Sequence, residues 1–194
     1  MYSHIAGPNI TMGKQGNAIF IPSPGGHGDI AITLGTHEHD CLGNITLCAS
    51  GATFSLWYKP VEVSVDWGTL FDSTSLRVFY HLNSEDFKMH FHLNNGSHLF
   101  RFDSISRVAW HKWYHVGITY SKESGFVVHF DGCTQRKADT IEPYNVTIKN
   151  FQLGCVTGNN CPRVHFDDLR FWGVKKGPLF IITYFLINPG MICS

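Results

Sequence analysis

Eleven short runs rich in Val, Ile, Phe, Tyr and Thr, each cut off by Gly, Asn, Ser or Pro, leave this chain few folds to choose from. They read AIFIP (18–22), DIAITL (29–34), ATFSLWYKP (52–60), GTLFDS (68–73), LRVFYHL (76–82), FKMHFHL (87–93), HLFRFDS (98–104), YHVGITY (114–120), FVVHFDG (126–132), TIKNFQLG (147–154) and VHFDDLRFW (164–172). Side chains of this kind pack well on a pleated, half-buried surface, and helical spacing of apolar residues is almost absent. Short strands broken at regular intervals by turn residues predict an all-β fold, a sandwich of two antiparallel sheets. No repeat, low-complexity run or linker interrupts 1–194, so a single domain is expected, and 43% hydrophobic residues are enough to fill its core.

One hairpin tests that reading. In FKMHFHLNNGSHLFRF the Asn95-Gly96 pair supplies the positive φ of a tight turn. A two-residue turn there pairs Phe91 with Phe100, Leu93 with His98 and Met89 with Phe102. Met89, Phe91, Leu93, Phe100 and Phe102 then share one face, and Lys88, His90, His92 and Arg101 the other.

Charge excludes some partners. Fifteen Lys and Arg balance fifteen Asp and Glu, so nothing electrostatic points to nucleic acid or an acidic membrane surface. The six cysteines include the close pairs Cys41/Cys48 and Cys155/Cys161, neither with the CxxC spacing of a zinc or redox motif. Cys41 and Cys48 are expected to pair, with Cys155–Cys161 and Cys133–Cys193 as the remaining assignment among fifteen arrangements. N-x-S/T sequons at Asn9, Asn44, Asn95 and Asn145, beside paired cysteines, favour an oxidising, extracellular setting. The start, MYSHIAGPNITMGKQG, lacks a basic segment followed by an apolar run, so the chain is expected to be part of a longer protein. LFIITYFLI (179–187) is too short to cross a bilayer as a helix and is expected as a buried strand or short core helix.

Several motifs, in order, carry a family likeness. WHKWYHVGITYSKESGFVVHFDG (110–132) resembles the W-x-H-V-x-x-T-Y…G…V-x-x-D-G stretch of concanavalin A-like, laminin G-like jelly-roll domains, pentraxins included. GKQGNAIFI, CLGNITLCASGATFSLWYKP and FDDLRFW are similar to that superfamily's opening strand, its Cys-flanked strand and its late strand. The likeness spans 13–172; after Trp172, GVKKGPLFIITYFLINPG replaces the short helix that the family often carries. The resemblance implies a jelly-roll sandwich. It also places Trp57, Trp113 and Trp172 on core strands, where burial is expected, and leaves Trp67 and Trp110 beside loops, freer to meet a ligand.

Catalysis is not expected. A retaining glycosidase needs two carboxylates about 5 Å apart, and residues i and i+2 of a strand share a face. No strand carries such a pair, and Asp167 and Asp168 in FDDLRF, being adjacent, are expected to face opposite sides, one turned inward. There is no G-x-S-x-G elbow. His37 with His39, or His90 with His92, offers two imidazoles on one side of a strand, but zinc needs three or four ligands. Calcium, which many relatives implied by the resemblance hold through loop oxygens, has Asp66, Asp72 and Asp131 available but no clustered acidic loop. No cofactor and no metal ligand is therefore assigned. The expected function is a non-catalytic extracellular recognition or adhesion module for a protein or glycan ligand, with no nucleic acid and no membrane insertion. A calcium-dependent, pentraxin-like lectin is the alternative, and a degenerate glycoside hydrolase the third.

Overall fold

The computed structural model of the chain describes residues 9–14, 16–21, 31–35, 37, 39–62, 67–82, 87–94, 98–103, 108–131, 133–135, 140–143, 150–154 and 163–177. In chain order the strands are β1 (Asn9–Met12), β2 (Asn17–Ile21), β3 (Ala31–Thr33), β4 (Ala52–Glu62), β5 (Trp67–Asp72), β6 (Leu76–Leu82), β7 (Phe87–Asn94) and β8 (His98–Asp103). They continue with β9 (Tyr114–Ser121), β10 (Gly125–Phe130), β11 (Cys133–Gln135), β12 (Thr140–Pro143), β13 (Gln152–Gly154) and β14 (Arg163–Trp172). A 3-10 turn, Ile45–Leu47, precedes β4.

Two antiparallel sheets result, one in the order β1-β2-β14-β4-β9-β10-β11 and the other β12-β8-β7-β6-β5-β13-β3. Alternation supplies the core between them. From the first sheet come Phe54, Leu56, Tyr58, Val116, Ile118, Tyr120, Phe126, Val128, Phe130, Val164 and Phe166; Leu70, Phe71, Leu76, Val78, Phe91, Leu93 and Leu153 meet them from the second. Aromatic pairs bind the sheets across the gap, Phe54 with Phe71 at 4.8 Å and Phe100 with Phe126 at 5.4 Å between ring centroids. This is the all-β sandwich that the strand pattern predicts. β1, β11 and β12 are additional, and TIKNFQLG contributes β13 only at its end.

The β7–β8 hairpin keeps its expected faces but not its expected register. Phe91 pairs with Phe102, Leu93 with Phe100 and Asn94 with Leu99. Four residues, not two, therefore separate the last pair, and the register moves by two. A shift of two leaves every side chain on its own face, so the facial pattern could not have detected it.

A second correction lies in β14. The register against β4 slips between Asp167 and Arg170, and Asp168 adopts φ of 49°. Phe166 and Leu169 pack toward the core, so the bulge fits Asp167 and Asp168 between them on the outer side of the sheet. The two adjacent acids do not face opposite ways.

Candidate ligand-binding cleft

The outer face of the second sheet carries a polar row. Register places Gln152, Asp72, Arg77, His92 and Arg101 side by side across β13, β5, β6, β7 and β8. Each lies next to core residues along its own strand (Phe71 before Asp72, Leu76 and Val78 around Arg77, Phe91 and Leu93 around His92), so the alternation turns this row outward. At one end the turn Ser73-Thr74-Ser75 curls up beside the row. Asp72, Arg77, His92 and Arg101 of the row, with the 73–75 turn, Leu76, Asn94 and Leu99, line a cleft of about 230 Å³. Arg77 and Arg101 are exposed at its mouth, while Asp72, Ser73, Thr74, Ser75 and Asn94 are buried.

The lip of this cleft is held in place from both sides. The Asn94 amide Nδ2 donates to the Thr74 carbonyl, and the Asn94 backbone N–H to the Ser75 carbonyl at 2.9 Å. The Leu76 N–H donates to Ser73 Oγ at 3.1 Å. On the far side, Ile45 N–H donates to Ser75 Oγ at 3.0 Å, tying the lip to the loop closed by the Cys41–Cys48 disulfide, whose Cα atoms are 4.9 Å apart. Within that loop Asn44 is half-buried and caps the 3-10 turn, its Oδ1 accepting from the Thr46 N–H at 3.1 Å and from Thr46 Oγ1 at 2.7 Å.

The outer face of the first sheet differs in kind. Here Ser55 Oγ and His115 Nε2 are hydrogen-bonded at 2.7 Å, and Thr134 Oγ1 and His129 Nδ1 at 3.0 Å. Asp168 acts electrostatically on His115, but burial dominates and lowers the His115 pKa to about 4. Serine, histidine and aspartate thus adjoin, in the manner of a nucleophile with its base. Yet Ser55 is 3% exposed and His115 0%, leaving no approach for a substrate. The set is a buried polar layer along a strand, β9, that is buried on both faces.

Toward one end of this face, cations occupy the faces of the aromatic rings. Lys14 lies over Trp57 at 5.3 Å, Lys59 over Trp113 at 5.1 Å and Arg163 over Phe20 at 5.9 Å. Between them His165 packs on Phe20 at 4.6 Å, and burial, followed by Lys59 and His111, lowers its pKa to about 4. Trp57 is 2% exposed, but it stands outside the core that joins the sheets, and Trp113 and Trp172 are half-buried. Trp57 lies on β4 and Trp172 on β14, while Trp113 directly precedes β9, and none of the three belongs to the core expected for them. Alternation turns them outward, since Leu56, Tyr58, Tyr114 and Phe171 take the inward positions. Trp110 is 37% exposed beside β9; the side chain of Trp67 lies outside the described residues.

The remaining sequence candidates divide as follows. The described residues of THEHDC lie in a turn rather than a strand: His37, at φ of 50°, binds the Asp40 carboxylate through Nδ1 at 2.8 Å and the Leu34 carbonyl through Nε2 at 2.7 Å. His90 and His92 are half-buried on the outer face of β7. Asp131 is buried in the turn after β10, where burial raises its pKa. Among the described residues no group of three His, Cys, Asp or Glu is placed to hold a metal ion. Cys133 is disulfide-bonded. Cys155, Cys161 and Cys193, Asp66, the sequons at Asn95 and Asn145, and the 179–187 segment lie outside the described residues, as does the Asn9 side chain. Sequence reasoning missed Arg77, Asn94 and the 73–75 turn. Their signal was there, since STS between two strands and a lone Asn among apolar residues both break the pattern, but only the register brings them together.

Comparison with known proteins agrees with this architecture. No curated protein matches the sequence. Domain 4 of AbnA, a GH43 extracellular arabinanase from Geobacillus stearothermophilus, superposes with a TM-score of 0.61 at 15% identity, over 92% of this chain and 81% of that one. The binding domain of botulinum neurotoxin DC, solved with rat synaptotagmin II, gives 0.60 at 15% identity over 93% of this chain and 45% of the toxin chain. A Trypanosoma rangeli sialidase gives 0.59 at 15%, covering 88% of this chain and 29% of the sialidase. The chain thus spans less than half of the toxin and sialidase chains. The sequence itself matches the laminin G type of family model over residues 34–178. The chain belongs to the concanavalin A-like lectin/glucanase superfamily.

Proposed function

We propose that this chain is a non-catalytic recognition module of a larger extracellular protein, 1–194 forming one domain, and that it binds its ligand in the cleft on the outer face of the second sheet. The observation that carries this is the cleft itself, with exposed guanidinium groups at the mouth and a lip fixed by Asn94 and by the disulfide loop. A polar recess with a rigid frame suits reversible recognition, because little ordering remains to be done on binding. By contrast, the serine–histidine pair is sealed from solvent, which supports binding over catalysis by that pair. Among the similar folds, one holds arabinotriose and another synaptotagmin II, which supports a binding role in general and names no ligand here. The Cys41–Cys48 disulfide and the sequons Asn9, Asn44, Asn95 and Asn145 support an extracellular, glycosylated setting.

Arrays of glycans and extracellular proteins probed with the native chain and with His92→Trp, which fills the cleft, test this reading. Binding by the native chain that is lost in His92→Trp supports it. Binding that survives the substitution, or release of reducing ends from a glycan, overturns it.

A further inference from the structure

We propose that closure of the Cys41–Cys48 disulfide withdraws Asn44 from N-glycosylation, so that the redox state of this loop sets whether the sugar is attached. This rests on the extracellular reading of the chain. The Asn44-Ile45-Thr46 sequon lies wholly between the two cysteines, which are seven residues apart. A transferase has to take the Asn amide and the Thr hydroxyl of a sequon into its own site. The folded loop uses both on itself: half-buried Asn44 accepts at Oδ1 from Thr46 Oγ1 at 2.7 Å and from the Thr46 N–H at 3.1 Å. The sequon backbone is committed as well. The Asn44 N–H donates to the Asp40 carbonyl at 3.0 Å, and the Asn44 carbonyl accepts from the Leu47 N–H at 3.0 Å. The middle residue, Ile45, donates its N–H to Ser75 Oγ, and its side chain packs against the core, as that of Leu42 does. Presenting the sequon in extended form would break the turn and lift both side chains off the core.

The disulfide imposes this before the rest of the fold forms. An extended segment of seven residue steps spans about 23–25 Å. The bridge holds the Cα atoms of Cys41 and Cys48 at 4.9 Å, so the closed loop cannot lie straight in a transferase cleft. Ser75 and most of the core strands that hold Ile45 and Leu42 come later in the chain, whereas Cys41 and Cys48 need only each other. A loop of this length makes contact in roughly 10–100 ns, which leaves the supply of oxidant to set the pace of closure. Closure passes two electrons and two protons from the thiols to a disulfide oxidant by exchange. Glycan transfer moves the sugar of a lipid-pyrophosphate-linked oligosaccharide to Asn44 Nδ2. The anomeric C1–O bond to the pyrophosphate breaks, a C1–N bond forms, Nδ2 gives up one proton, and the lipid pyrophosphate leaves. No electrons are exchanged in that step, so the cysteines act on access alone.

The test is site-by-site glycan occupancy, measured by mass spectrometry on the full chain directed into the secretory pathway of cultured animal cells. Intracellular and exported chains are both analysed, so a variant that folds poorly still gives a reading. Cys41→Ser with Cys48→Ser should raise occupancy at Asn44 about threefold or more, with Asn9, Asn95 and Asn145 unchanged. Ser75→Ala, which removes the anchor of Ile45 and keeps the disulfide, should leave Asn44 at its native occupancy. Equal Asn44 occupancy in the native chain and the double-serine variant, with sugar on the other sequons, overturns the proposal and leaves the extracellular reading standing. A rise of the same size in Ser75→Ala overturns it too, since the folded core and not the disulfide would then be the gate. So does a uniform rise at all four sequons in the double-serine variant, which reports slower folding of the whole chain. Absence of sugar from every sequon in every variant removes the extracellular reading and the proposal together.

Discussion

His115 lies at the centre of the first sheet, fully buried and hydrogen-bonded to Ser55, and its pKa is held near 4 by burial. An unfolded histidine titrates near 6.5. Between those values only the unfolded chain takes the proton, so the stability due to His115 is present above pH 6.5 and falls as the pH drops toward 4. At full extent this amounts to roughly 3 kcal/mol, 1.36 per pH unit. Melting followed from pH 7 to 4.5 should decline steeply, and His115→Gln should flatten the decline; an unchanged slope would show that the ring is not the titrating group. Gly51 offers a second single-residue test. It sits at φ of 79°, and a Cβ there would collide with the Tyr120 carbonyl oxygen. Gly51→Ala should therefore cost about 2 kcal/mol or more, read from urea denaturation. Neither effect is legible in the sequence. His115 stands at a polar position of an alternating strand, which reads as solvent-facing, and only the cover over the outer face makes it buried.

At the scale of elements, the loop closed by Cys41–Cys48 supports the cleft lip through Ser75, whose Oγ accepts from the Ile45 N–H and donates to the Gly43 carbonyl at 3.3 Å. Opening the disulfide by Cys41→Ser with Cys48→Ser frees a seven-residue separation in the unfolded chain, worth about 2.5 kcal/mol by loop-closure entropy. The double variant should melt lower and also bind its cleft ligand more weakly, with the loss mainly in the dissociation rate. A lower melting point with unaltered binding would show that the loop stabilises the fold without shaping the lip. The closeness of the two cysteines in sequence made this loop visible at once. The β7–β8 register was not visible, because Asn95-Gly96 satisfies a two-residue turn on paper and an error of two preserves every face.

For the molecule as a whole, the sandwich was readable because the facing residues of two sheets must alternate, and period two survives in nearly every strand. The site was not, because outward positions are free to be polar for many reasons and only pairing across four strands shows which of them come together. The division of labour between faces leads to a comparison of three substitutions. Phe71 lies between the sheets, 4.8 Å from Phe54 and 4.6 Å from Phe151 by ring centroids, and is fully buried. Phe71→Ala should cost about 3–5 kcal/mol, the range for a large aromatic removed from a close-packed core. Trp57→Ala should approach that, since the ring is covered though it lies outside the joint between the sheets. Trp113, half-buried with Lys59 over its face, should cost less, about 1–2 kcal/mol, because part of its area already meets water and the cation–π contact is worth about 1. Chelator should leave all four proteins, native chain included, melting where they did, since cohesion is assigned to the aromatic joint and not to a metal. If chelation lowers melting while Phe71→Ala is tolerated, the two sheets are held together by an ion and the aromatic joint is secondary.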